Sequence, residues 1–178
     1  NVYIEIFRGT PMIVQSMVIF YGSAQAFNIS LDRTWAAIFI VSINTGAYMS
    51  EIVRGGILAV DTGQFEAATA LGMTHGQTMR KVVLPQVVRN ILPATGNEFV
   101  INIKDTSVLN VISVVELYFT GNTVATQNYQ YFPTFTIIAV IYFILTFTIT
   151  RILRYIERRL DSDTYTTGAN QMQVKEVK

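Results

Sequence analysis

The 178-residue sequence has no cysteine, one histidine, four prolines and little charge. Without cysteine there is no disulfide framework, thiolate metal site or cysteine nucleophile. The single histidine, His75, rules out a zinc or iron centre built mainly from histidines. The net charge of +1 provides no clustered basic face for nucleic acid. There is no G-x-x-x-x-G-K-[ST] run, so the chain has no phosphate-cradling loop of its own for ATP hydrolysis. No catalytic residue set and no metal ligand set is read from it.

The scarcity of charge is the most informative of these deficits. Charged residues make up 14% of the chain, against about 25% in an ordinary soluble protein. They are missing altogether between Arg8 and Asp32, between Arg33 and Glu51, and between Glu116 and Arg151. These intervals approach or exceed the ~20 apolar residues that cross a hydrocarbon core. The chain therefore reads as an all-α, polytopic membrane protein whose surroundings are lipid.

Spans are expected over 10–27, 34–50 and 133–152. The first enters through Arg8-Gly9-Thr10-Pro11, with Thr10 placed to cap and Pro11 tolerated in the first turn. The second should end near Gly55-Gly56. Between 87 and 119 the apolar character is interrupted by Pro93, Gly96, Glu98, Lys104, Asp105 and Glu116, which predicts a broken crossing followed by a re-entrant or interfacial helix. Tyr129, Tyr131 and Phe132 suit an interfacial belt. The tail 161–178 is polar and is expected to be disordered.

Residues 61–85 differ in kind, being amphipathic and carrying both signs of charge. Asp61 with Gln64, and Thr74 with Gln77, have the spacing of capping boxes. Gly72 suits a left-handed helix end, and Pro85 marks where the second helix should stop or bend. A water-exposed helical hairpin is expected, with a plain connecting loop as the alternative. If this segment is cytoplasmic, Arg8, Arg54, Arg80, Lys81, Arg89 and the Arg151/Arg154/Arg158/Arg159 cluster all lie inside, and four crossings run out, in, out, in. His75, in the hairpin turn, reads as a solvated histidine rather than a pH sensor.

The hairpin contains Glu66-Ala67-Ala68, three residues, Gly72, nine residues, then Val82-Val83-Leu84-Pro85. This resembles the EAA loop of bacterial ABC-importer permeases. Flanking stretches are similar to the branch that carries polar amino acids: Ile4-Glu5-Ile6-Phe7-Arg8-Gly9-Thr10-Pro11, Asn44-Thr45-Gly46-Ala47-Tyr48, Gly96-Asn97-Glu98-Phe99, Lys104-Asp105-Thr106-Ser107 and Glu157-Arg158-Arg159-Leu160. The resemblance covers Tyr3 to Leu160. It implies a helical bundle of the type I importer permease kind, with residues 1–160 forming a transmembrane domain that lacks the family's first span.

By the same resemblance, Glu66, Ala67, Ala68, Gly72, Leu84 and Pro85 would couple to a separate ATP-binding subunit, which uses ATP and Mg while this chain binds no cofactor. A second permease subunit, identical or sister, an extracytoplasmic solute-binding protein, a polar amino acid (glutamine- or glutamate-like, or basic) and membrane lipid are the implied partners. The location would be the bacterial cytoplasmic membrane, with the EAA loop and C-terminus inside.

Charge at bilayer depth costs at least ~2.5–3.5 kcal/mol, so buried polar groups there either pair or line water. Asn44, Thr45, Asn97, Glu98, Asn102, Lys104, Asp105 and Ser107 are the candidate substrate pathway. The alternative is that they knit helices together, Asn44-Thr45-Gly46 serving as a small-residue contact. An ion-coupled amino-acid transporter or channel is the competing function, and a membrane scaffold without transport is a third.

Overall fold

The computed structural model describes the backbone of residues 2–176 and the side chains of residues 2–159. Every regular element among the described residues is helical. They are α1 (Val2–Gly9), α2 (Met12–Phe27), α3 (Arg33–Leu58), α4 (Thr62–Ala70), α5 (His75–Thr78), α6 (Leu84–Asp105), α7 (Leu117–Asn128) and α8 (Tyr131–Glu176). A π turn, Met79–Val83, joins α5 to α6, and a 3-10 turn, Thr106–Ile112, follows α6. The side chains of the tail expected to be disordered lie outside the described residues.

Among the described residues, two helices are long and apolar enough to cross a membrane, Arg33–Leu58 and Tyr131–Arg159. A third span is available if the helical run ending at Ile112 and Leu117–Asn128, bent by 55°, count as one broken crossing. The fourth expected crossing, α2, has 16 residues. At 1.5 Å per residue it reaches about 24 Å, short of the ~30 Å core.

Several boundaries depart from the sequence reading. Thr10 does not cap α2: its hydroxyl donates to the Ile6 carbonyl at 2.8 Å, and Pro11 takes the N-cap position with no side-chain cap. Gly55 and Gly56 lie inside α3. A Cβ on Gly56 would collide with the Ile91 side chain, so this glycine permits a close helix approach instead of ending a helix. Pro93 and Gly96 both lie within an unbroken α6. The break comes later, where Ser113 turns left-handed (φ 61°) and Glu116 starts α7 by accepting from the Tyr118 and Phe119 N–H groups at 2.7 and 2.6 Å. Pro85 does not stop its helix either. The wider π turn before it has already shifted the bonding pattern, with the Leu84 N–H reaching the Met79 carbonyl, and the chain continues into α6.

The chain forms two compact units. The first comprises Asn1–Glu51 and Glu98–Thr148. Its core is Ala36, Ala37 and Ile40 of α3 against Leu109 and Ile112, with Met12, Ile19 and Phe20 of α2 packed around them. Gly121 of α7 lies so close to α8 that a Cβ would strike Ile138, and the Tyr142 hydroxyl donates to the Glu116 carboxylate at 3.1 Å. The second unit comprises Ile52–Asn97 and Ile149–Lys178. Val60, Val83 and Val87 form its core, bordered by Ile57, Phe65, Met79 and Ile91.

Candidate functional site

Two sites emerge, one in each unit. The second unit carries a knob made of α4 and α5. Asp61 begins α4, its carboxylate accepting from the Gly63 N–H at 2.7 Å, while Gln64 does not close the expected box. The helix ends in a Schellman arrangement. The Gly72 N–H donates to Thr69 O at 2.9 Å and the Met73 N–H to Ala68 O at 3.1 Å, with Gly72 at φ +72°. Thr74 and Gln77 form the complete capping box expected for α5.

Phe65 anchors the knob to the valine core, and Ala68, only 3% exposed, faces inward. Glu66, Ala67, Ala70, Leu71 and Gly72 face outward, and Leu71 at the tip is 81% exposed. Leu84 and Pro85 are exposed at the start of α6. The outer face thus combines small residues and Leu71 with the polar Gln64 and Thr69 and the Glu66 carboxylate. That is the form a helix takes when it seats in a partner's groove.

The first unit holds a cavity of about 370 Å³, within the ~300–1,000 Å³ typical of small-molecule sites. Its walls are Thr10, Pro11 and Met12 where α1 passes into α2, Asn44 and Tyr48 of α3, and Glu98, Ile101, Asn102 and Asp105 of α6. The α6 residues follow i, i+3, i+4, i+7 spacing, which puts them on one helix face. Asn97 and Lys104 each lie one position from that face, and both are exposed. Ser107 lies in the 3-10 turn, where its carbonyl accepts from Asn110 Nδ2 at 2.6 Å. Of the eight pathway candidates, Asn44, Glu98, Asn102 and Asp105 therefore line the cavity, and Thr45 supports it by donating to Asn102 Oδ1 at 3.0 Å. Asn97, Lys104 and Ser107 do not.

Gln15 was missed. It is 6% exposed, and its Nε2 donates to Phe7 O, Thr10 O and Thr10 Oγ1 at 2.9, 2.8 and 2.9 Å, fixing the turn between α1 and α2. Its Oε1 accepts from Asn44 Nδ2 at 2.9 Å. A lone amide early in a charge-free apolar stretch was the available signal, because such a group must find partners inside the protein. Beside this turn the Arg8 guanidinium meets Glu51 at 3.3 Å and lies over the Tyr48 ring, 5.6 Å from its centroid.

Comparisons with known proteins identify the family and the fold. A family model described as "Binding-protein-dependent transport system inner membrane component" matches residues 1–162. The glutamine transport system permease protein GlnP of Escherichia coli K12 is 42% identical over 160 residues, covering 89% of this chain and 73% of that protein. The arginine transport system permease protein ArtQ of Bacillus subtilis is 37% identical over 161 residues, covering 90% and 74%. The crystal structure of an amino acid ABC transporter with histidines superposes with a TM-score of 0.84 at 44% identity, covering 89% of this chain and 73% of that one.

Proposed function

The chain belongs to the family of binding-protein-dependent transport system inner membrane components, as the non-catalytic, membrane-spanning permease subunit of an amino-acid ABC importer, and from that premise we propose how its two sites divide the work. Membership removes the ion-coupled and scaffold alternatives, and it implies a separate ATPase and a partner permease in the cytoplasmic membrane.

The knob of α4 and α5 is the cytoplasmic docking piece for the ATP-binding subunit. Glu66, Ala67 and Leu71 make the contact, Ala68 lets the helix lie close to its own core, and Gly72 sets the angle of α5. ATP binding and hydrolysis in the partner, with Mg, move this knob. The cavity in the first unit is the chain's share of the translocation pathway. It receives a polar amino acid from an extracytoplasmic binding protein and releases it inward, and a second permease subunit, identical or sister, completes the enclosure. The observation that carries this reading is the knob itself: a locally capped helical pair that exposes Glu66, Ala67, Ala70 and Leu71.

The test is reconstitution of the full-length permease with its ATPase and binding protein in sealed vesicles. Uptake of a labelled polar amino acid should follow internal ATP and persist when ion gradients are collapsed. Uptake that ignores ATP, or external labelling of a cysteine placed at Gln77 in right-side-out vesicles, sinks the assignment.

A further inference from the structure

The last turns of α8 with described side chains carry a basic face that neither the knob nor the cavity uses. The apolar run Tyr131–Arg159 has 29 residues and reaches about 43 Å at 1.5 Å per residue, of which about 30 Å crosses the hydrocarbon core. The rest lies at the level of the lipid headgroups. Its final turns belong to the same compact unit as the knob. Residues 151–159 hold four arginines and a single acid, Glu157.

The helix sorts these side chains into three sectors. Leu153 and Glu157, one turn apart, face α6: a Cβ on Gly96 would lie 3.4 Å from Leu153 Cδ1 and 3.5 Å from Glu157 Oε1. The one acid is thus turned toward protein, in a different sector from the arginine stripe. Arg151, Arg154 and Arg158 follow i, i+3, i+7 spacing and are exposed, forming a stripe about 10 Å long. Arg154 and Arg158 meet no carboxylate among the described residues. Tyr155 lies beside the stripe with the Arg159 guanidinium held on it, donating to the Tyr155 hydroxyl at 3.0 and 2.6 Å and lying 5.2 Å from the ring centroid. Next around the helix come Ile152 and Ile156, 53% and 43% exposed.

A row of guanidinium groups matches phosphate oxygens, which each fork can grip with two N–H bonds. The isoleucines on the same turns decide what carries the phosphate. A soluble anion would leave Ile152 and Ile156 in water, whereas a phospholipid covers them with its acyl chains. We infer that this face of α8 is a binding site for anionic phospholipid. Arg154 and Arg158 hold the headgroup phosphates, Arg151 extends the stripe toward the core, and Ile152 and Ile156 lie against the chains. In the orientation proposed above this is the cytoplasmic leaflet, whose surface is negative.

The test is native mass spectrometry of the full-length permease–ATPase complex in detergent, titrated with phosphatidylglycerol or phosphatidylcholine. Phosphatidylglycerol should bind about tenfold or more tightly, since two arginines face its charge. Arg154→Gln and Arg158→Gln should each lower its affinity about fivefold, the contribution of one arginine at an anionic surface, and leave phosphatidylcholine binding unchanged. Arg33→Gln removes the same charge at the start of α3 and should change neither. Inorganic phosphate in excess should not displace the lipid. Equal affinity for the two lipids, an equal loss in Arg33→Gln, or displacement by inorganic phosphate overturns the inference. Lipid binding retained in Arg154→Gln and Arg158→Gln while the ATPase no longer copurifies assigns the face to the soluble subunit, and overturns it too. None of these readouts uses ATP or transport, so the importer reading is decided separately by the uptake assay.

Discussion

The knob and the cavity are built on opposite plans. Knob bonds join near neighbours: Asp61 to Gly63, Gly72 to Thr69, Met73 to Ala68, Thr74 to Gln77. The cavity adds to local bonds, such as Gln15–Thr10 and Asn102–Glu98, others that span long stretches of chain, 29 residues for Asn44–Gln15 and 57 for Thr45–Asn102. A piece held by local caps keeps its shape when the helices beyond it move, as a part that receives force must. A cavity held by distant amides changes shape when those helices move, as a part that must open and close should. Damage to one is therefore expected to leave the other intact.

The largest expected break lies on the cavity's side. Gly121→Val in α7 drives a branched side chain into Ile138, and overpacking of that kind costs about 1–3 kcal/mol. The purified subunit should show a clear fall in Tm, while ATPase association through the knob persists. An unchanged Tm would mean that α7 does not pack on α8 as closely as the glycine implies.

A smaller break tests the knob. No atom lies within 4 Å of a Cβ on Gly72, so the cost of Gly72→Val is conformational alone, about 1–2 kcal/mol for a left-handed residue. Copurification of the ATPase should fall sharply. Gly72→Asn, which tolerates this backbone region, should recover most of it. Equal loss in both variants would locate the effect in side-chain bulk at the interface instead of in the turn.

The same division explains what could be read from the sequence. Thr74–Gln77, the Asp61 cap and the Gly72 turn were legible because each is decided within a few residues by satisfaction of orphan N–H and C=O groups. Gly56, Gly96, Pro85 and Pro93 misled for the complementary reason. Locally each reads as an ending, yet the packed structure uses Gly56 for the approach of Ile91 and absorbs Pro85 with a π turn. The cavity was half legible. Asn44, Glu98, Asn102 and Asp105 stood out as polar groups in apolar surroundings, but only the rotation of α6 separates them from Asn97 and Lys104. The role of Gln15 depends on the turn at Thr10, whose hydroxyl bonds backwards to Ile6 instead of capping forwards.

The smallest effect on stability belongs to Glu66, and for that reason it separates docking from folding. Its side chain is exposed, and α4 is capped by Asp61 without it. Glu66→Gln should leave the folding stability within about 0.5 kcal/mol of the parent, with Tm nearly unchanged, the usual range for a surface change away from such features. Association with the ATPase should nevertheless weaken, and the difference from the parent should shrink as salt is raised, because an exposed charge pair is screened over about 10 Å at 0.1 M. Binding in a titration of ionic strength reads this directly. A weakening that does not depend on salt would move the contact from the carboxylate to the apolar face of Ala67 and Leu71. A fall in Tm would make Glu66 part of the knob's own fold, and the contrast between a locally capped knob and a distantly bonded cavity would then need a different boundary.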